Sequence, residues 1–320
     1  MNMPRGLKFE NYGIFIALFL MILFGALRYE NFLSSFNILT FLRYNSMFAL
    51  VSLGMAFVIF TGGIDLSVGA VAALGSVTSA LVSQYGIGPG LIAGVGAGAL
   101  VGLINGLIVS KTNIAPFIAT LATMLASSGT ALLLSGNQSV SVSYDSNFTS
   151  FGQDDFLGFP IPAWVAILVY VIGYITLQST SFGRSTLAVG GNEDASRLMG
   201  LQADRVKLIV YLMSGSLAGL AGVILASQFG AGQPIEGIGW ELFSIASVVV
   251  GGSLLTGGKG AIGSTYVGCI LLGLIFNMLN FENGLGWISL SAHWQSVIRG
   301  LILLVVVILQ VKLMNQNNRS

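Results

Sequence analysis

Few residues of this chain carry groups able to do chemistry. Its 320 residues include 13 Lys and Arg, 12 Asp and Glu, one histidine (His293) and one cysteine (Cys269). A lone cysteine closes no internal disulfide, and no Cys/His cluster has metal-ligand spacing. Asp154 and Asp155 are adjacent, so they do not present a spaced acid and base. H-E-x-x-H and G-x-S-x-G are both absent. The run Gly252-Ser253-Leu254-Leu255-Thr256-Gly257-Gly258-Lys259-Gly260 misses the phosphate-loop spacing G-x-x-x-x-G-K-[ST] by one and lacks the Ser or Thr after the lysine. The expectation is a chain that is not an enzyme and needs no metal or cofactor. It also lacks the buried carboxylate and histidine relays of a proton-coupled pump. If it moves a solute uphill, the energy arrives from another subunit.

The remaining polar groups stand singly in apolar sequence. Asp65 and Ser67 follow Gly62 and Gly63 in T-G-G-I-D-L-S-V-G and suit a helix N-terminus. They read as a cap or as a gate or substrate contact at a helix break. Asn105, Gln228, Asn277 and Asn280 are neutral amides within or at the ends of apolar runs, and Trp240 and Glu241 open another. Bonds between helices explain the amides, and so would a hydrophilic path for a hydroxylated solute. Trp240, Trp287 and Trp294 read as interfacial anchors. Arg299 either snorkels outward or pairs with Glu241 or a helix carbonyl in the interior, and His293 is an interfacial histidine.

The elements that hold these groups must be membrane spans. Apolar residues make up 54 % of the chain and charged ones only 8 %, against about a quarter in a soluble domain. The net charge of +1 gives no footing for nucleic acid. With about 20 apolar residues needed per crossing, ten spans are expected, over 12–28, 45–61, 65–84, 90–109, 114–134, 163–180, 207–228, 240–256, 260–280 and 293–312. The fold class is all-α, with broken or re-entrant helices admitted over 45–84 and 240–280. The first run is read as a retained span with the N-terminus inside, since it lacks a small-residue cleavage pattern. Alternating spans then put 10 of the 13 Lys and Arg inside and only Arg28 and Arg43 outside. Both termini are therefore expected in the cytoplasm.

Glycine, 43 of 320, is the other compositional signal. Gly90, Gly94, Gly98, Gly102 and Gly106 recur every four residues and form one stripe on a helix, echoed by Gly215, Gly219 and Gly222. Small residues let helices approach closely in lipid, so the fourth span is expected at the bundle centre. The same stripe would also allow sliding. The T-G-G starts at Thr61 and Thr256 are a weak internal echo, each marking a reversal or a break.

The inner loop 184–206 reads as a short helix, with Asn192 as cap, Glu193 and Asp194 in the first turn, Arg197 near the end and Gly200 as a stop. Leu187, Val189, Leu198, Met199 and Leu201 are its apolar residues. They either fold back onto the protein or offer a docking surface to a cytoplasmic partner.

Over roughly 40–312 the sequence resembles the permease subunits of bacterial ABC sugar importers of the ribose, xylose and galactose group. The resemblance rests on G-G-I-D-L-S-V-G at 62–69, P-F-I-A-T-L at 116–121, G-G-N-E-D-A-S-R-L-M-G at 190–200, Q-P-x-x-G-x-G-W-E-L at 233–242 and V-V-G-G-S-L-L-T-G-G-K-G at 249–260. It implies one permease domain over 1–320 in the bacterial inner membrane. A second permease, cytoplasmic ATP-binding subunits and a periplasmic sugar-binding protein complete the implied assembly. Gly190, Gly191, Asn192, Glu193, Asp194, Ala195, Ser196, Arg197, Leu198, Met199 and Gly200 match the segment that couples to the ATPase. Gly62, Gly63, Asp65 and Ser67 match a signature of structural or gating role. Phe243 stands where members often carry an acid two residues after Glu241. The implied cargo is a ribose-like pentose, galactose or galactofuranose. The alternative is a stand-alone secondary transporter or channel for a small polar solute.

Overall fold

A computed structural model describes residues 10–112 and 114–285, with Trp294, Val297, Ile298, Gly300, Leu301 and Leu304 beyond them. Trp287, His293, Arg299 and most of the run 293–312 lie outside the described residues, so the readings placed on them are not reached. The described helices are α1 (Glu10–Arg28), α2 (Ser35–Phe60), α3 (Val68–Leu81), α4 (Ile87–Lys111), α5 (Pro116–Ser135) and α6 (Ser150–Gln153). They continue with α7 (Ile161–Ser179), α8 (Ser181–Gly191), α9 (Glu193–Leu198), α10 (Ala203–Phe229), α11 (Trp240–Val250) and α12 (Ile262–Leu285). Strand β1 (Val140–Ser141) pairs antiparallel with β4 (Ala231–Gly232), and β2 (Asp155–Phe156) with β3 (Phe159–Pro160).

Among the described residues, α2, α4, α5, α7, α10 and α12 are long and apolar enough to cross a membrane. Side chains such as Phe19, Phe36, Leu125 and Leu133 are exposed on the outside of the bundle, as a lipid-facing surface requires. In the regions expected to hold the third and eighth spans, α3 has 14 residues and α11 has 11. At 1.5 Å per residue these reach roughly 21 and 16 Å, short of a hydrocarbon core of about 30 Å. Each lies next to a glycine-rich break: Thr61–Ser67 before α3, and Gly251–Ala261 after α11.

The centre of the bundle is α2 with α10. Of their apolar stretches, 78 % and 61 % are buried, against 33 % for α4. The glycine stripe thus does not put α4 at the centre, contrary to the sequence expectation. Its buried residues are the five stripe glycines with Asn105 and Val109, while Ile92 and Leu100 on other faces are exposed. Small residues set how closely one face approaches its neighbour, which says nothing of the other faces. That neighbour is α10: a Cβ on Gly98 or Gly102 would collide with the backbone of Gly215, and a Cβ on Gly219 with that of Gly94. Gly222, one face over, seats α10 against Ala72 and Ser76 of α3.

Candidate functional site

The segment between α7 and α10 is built by local capping. Thr180 Oγ1 accepts the Gly183 N–H at 3.1 Å and starts α8. Asn192 Oδ1 accepts the Ala195 N–H at 2.8 Å and starts α9. Glu193 and Asp194 then occupy the first turn, where the helix dipole favours acids. Gly200, at φ +84°, closes the helix, with Leu201 N–H donating to Ser196 O and Gly200 N–H to Arg197 O, both at 3.0 Å. Arg197 donates to Glu193 at 2.9 Å and also to Asp204, and Lys207 Nζ reaches Glu193 Oε2 at 2.5 Å. These pairs clamp α9 onto the first turns of α10. Partial burial pushes the Glu193 carboxyl upward, but bonds from Lys207 and Arg197 and their charges outweigh it and hold it below the usual carboxylate value. Hydrogen bonds to Asp204, then to Glu193, raise the Arg197 guanidinium above its usual value.

The loop's apolar residues divide between buried and exposed. Val189 is buried and Leu187 packs against the core. Leu198 and Met199 are 90 % and 71 % exposed at the end of a charge-braced helix.

Behind α9 three glycine pairs meet. Gly258 N–H donates to Phe60 O, the last carbonyl of α2, at 3.1 Å. A Cβ on Gly258 would stand 2.7 Å from Gly191 Cα, and one on Gly257 2.6 Å from Gly62 N. A side chain on Gly190 would collide with Phe60 O and Gly258 N. The two T-G-G runs, 195 positions apart in sequence, therefore touch each other and the start of the α9 segment, backbone against backbone.

Just past this contact lies a buried polar knot. Asp65 Oδ1 accepts the Ser67 N–H at 3.0 Å and the Ser67 hydroxyl at 2.6 Å, and Oδ2 accepts the Ser214 hydroxyl at 2.8 Å. Asn105 Nδ2 donates to Ser67 Oγ at 3.0 Å, and Thr123 donates to Asn105 Oδ1 at 2.6 Å. Thr120 Oγ1 takes the Leu66 N–H at 3.1 Å. The start of α3 is thus fastened to α4, α5 and α10 at one level. Asp65 and Asn105 are fully buried, and the partners given account for their side chains.

Across the bundle, α2, α11 and α12 enclose a cavity of about 400 Å³. Phe41, Tyr44, Phe48, Phe243 and Phe276 supply its rings, and Asn45, Asn277 and Asn280 its amides. Asn277 and Asn37 exchange hydrogen bonds at 2.9 and 3.3 Å. Asn45 is 4 % exposed, its Oδ1 lies 3.8 Å from Cys269 Sγ, and its Nδ2 has no partner among the described residues. A buried donor left unmade costs about 1–3 kcal/mol.

Residues 37–307 match the model of a protein family described as "Branched-chain amino acid transport system / permease component". The chain belongs to this permease family. It is 42 % identical over 306 residues to the ribose import permease protein RbsC of Bacillus subtilis, covering 95 % of this chain and 93 % of that one. It is 38 % identical to the L-arabinose transport system permease protein AraH of Escherichia coli (95 % and 91 %) and 34 % to the D-allose transport system permease protein AlsC of the same species (95 % and 92 %). No solved structure matches it.

The six residues read as a path in this permease separate. Asn277 and Asn280 line the cavity. Trp240, 5 % exposed and therefore no interfacial anchor, packs on Phe48 at 4.8 Å between ring centroids and backs the cavity wall. Asn105 belongs to the polar knot. Glu241 faces Gly69 of α3, and Gln228 lies beside Gly152 of α6. Sequence reasoning missed Asn45, the rings around it, and Ser214 as the partner of Asp65. The signal for the first was present: Phe41, Tyr44, Asn45 and Phe48 stand at i, i+3, i+4 and i+7, as do Gly273, Phe276, Asn277 and Asn280.

Proposed function

We propose that this chain is the transmembrane permease subunit of an importer that moves a monosaccharide, pentose or hexose, into a bacterial cytoplasm, driven by ATP hydrolysed on a separate subunit. The observation that carries the reading is the similarity, over more than nine-tenths of both chains, to permeases named for ribose, L-arabinose and D-allose. Several long apolar helices with exposed apolar flanks suit a multi-pass inner-membrane protein.

Within that reading, Gly190–Gly200 is the seat of the ATPase. Leu198 and Met199 offer it an apolar tip on a helix held rigid by Arg197, Glu193, Asp204 and Lys207. The glycine contacts behind α9 pass its displacement to the end of α2 and to the loop between α11 and α12. The polar knot keeps α3 fixed while those helices move. A sugar-binding protein delivers cargo at the opposite face, a second permease completes the channel, and both termini lie in the cytoplasm. The test is uptake of labelled sugar into proteoliposomes. Uptake requires the ATPase partner and ATP, and uptake by the permease alone overturns the reading.

A further inference from the structure

We propose that the cavity between α2, α11 and α12 binds an uncharged, polyhydroxylated solute, and that Asn45 is the residue that selects it. This rests on the importer reading and locates the solute within one chain. At about 400 Å³ the cavity falls within the ~300–1,000 Å³ of ordinary small-molecule pockets. Its walls combine two surfaces that a sugar ring also combines. The lining rings of Phe48, Phe243 and Phe276 suit the apolar C–H faces of a sugar ring, and the lining amides of Asn45, Asn277 and Asn280 suit its hydroxyls.

The second observation is Asn45, a cavity-lining residue whose buried Nδ2 has no hydrogen-bond partner among the described residues. An amide nitrogen carries two donors, and buried donors are almost always satisfied, so a ligand acceptor would satisfy this one once the amide turns toward the cavity. Gly273 makes room for it: a Cβ there would stand 2.5 Å from Asn45 Oδ1.

The third observation decides between solute classes. Among the described residues, none that lines the cavity is charged. A free amino acid would bring a carboxylate and an ammonium out of water with no countercharge. A neutral sugar brings only hydroxyls. The cavity therefore fits the sugar relatives rather than the amino-acid wording of the family's description.

The test uses the full-length permease with its ATPase and sugar-binding protein. In the Asn280→Cys protein the introduced thiol lines the cavity mouth, and the native Cys269 is buried and stays silent to maleimide. Whichever of D-ribose, L-arabinose and D-allose the assembly imports slows maleimide labelling several-fold at millimolar concentration, while L-leucine does not. Asn45→Leu, and Gly273→Ala by crowding the Asn45 amide, lower sugar turnover about 10-fold with ATP hydrolysis within twofold of wild type. If the imported sugar leaves labelling unchanged, or L-leucine protects instead, the site is wrong although the importer reading stands. If the wild-type assembly imports none of the three sugars, the importer reading fails first.

Discussion

Truncating the tip of α9 separates docking from folding. Leu198 and Met199 are 90 % and 71 % exposed, so Leu198→Ala with Met199→Ala removes little that the permease itself buries. If an ATPase subunit covers both side chains, each truncation removes about three buried apolar groups, three carbons from Leu198 and two carbons with a sulfur from Met199, or roughly 2 kcal/mol at about 0.8 kcal/mol per group. The pair should then cost about 3–4 kcal/mol, allowing for incomplete additivity. At 1.36 kcal/mol per tenfold, ATPase binding should weaken on the order of 10²- to 10³-fold. The assay is titration of the ATPase subunit onto permease in nanodiscs, with sugar-stimulated ATP hydrolysis read in parallel. Leu133→Ala, at an equally exposed position on α5, is the control and should leave binding unchanged. Binding by the double variant within twofold of wild type would refute the docking role of this tip.

Arg197 must be kept in that experiment. Its guanidinium is the bridge between Glu193 and Asp204, so Arg197→Glu would set three carboxylates against one another and undo the loop. Loss of coupling in such a variant would report loop folding rather than contact with the ATPase.

Two further outcomes follow from the buried and the exposed polar groups. Asp65→Ala leaves the Ser67 N–H, the Ser67 hydroxyl and the Ser214 hydroxyl without their acceptor, at roughly 3–5 kcal/mol as for other broken buried networks. The thermal midpoint in detergent should fall sharply, by more than for Ser214→Ala, and an unchanged midpoint would show that the knot does not hold α3. The α9 clamp should also depend on pH in one direction. Because the folded Glu193 carboxyl lies below its free value of 4.5, its contribution is complete above that pH and is lost as pH falls through the lowered value. Hydrogen exchange over 193–204, corrected for intrinsic rates, should be flat from pH 5 to 8 and rise only below about 4.5. A rise between pH 5 and 7 would count against the clamp.

Local spacing carried much of this in advance, and distant contacts did not. The caps of α9 follow from Asn192, the acids after it and Gly200, because each acts within four residues of itself. The glycine stripe told which face of α4 packs closely but not how much of α4 is covered, since that depends on elements the stripe does not touch. The run 65–84 reads as a full span because hydropathy counts residues. Yet α3 ends at Leu81 and a short 3₁₀ turn (Ser83–Tyr85) follows, so only 14 residues are helix. Asn45 stands outside the amides that the sequence reading singles out. Only the fold sets it opposite Gly273, 228 positions further on, where its isolation has meaning.

The T-G-G runs were legible as breaks, whereas their contact with Gly190 and Gly191 was not, and that contact changes how the molecule can work. Flexible side chains between α9 and the helices would absorb a small displacement by changing rotamer. Here the touching groups are backbone atoms of Phe60, Gly62, Gly190, Gly191, Gly257 and Gly258, which have no rotamers to change. α9 is braced by three ion pairs, and Gly190 and Gly191, the end of α8 just before it, meet backbone, so in the coupling proposed above a push at Leu198 would have little slack to take up. The first elements to receive it are α2 and the α11–α12 connection, and the described lining of the Asn45 cavity comes from α2 and from the two helices, α11 and α12, that this connection joins. The knot at Asp65 ties α3 to α4, α5 and α10 instead, so in the proposed coupling the glycine contacts lead toward the cavity walls while the knot holds α3 to its neighbours.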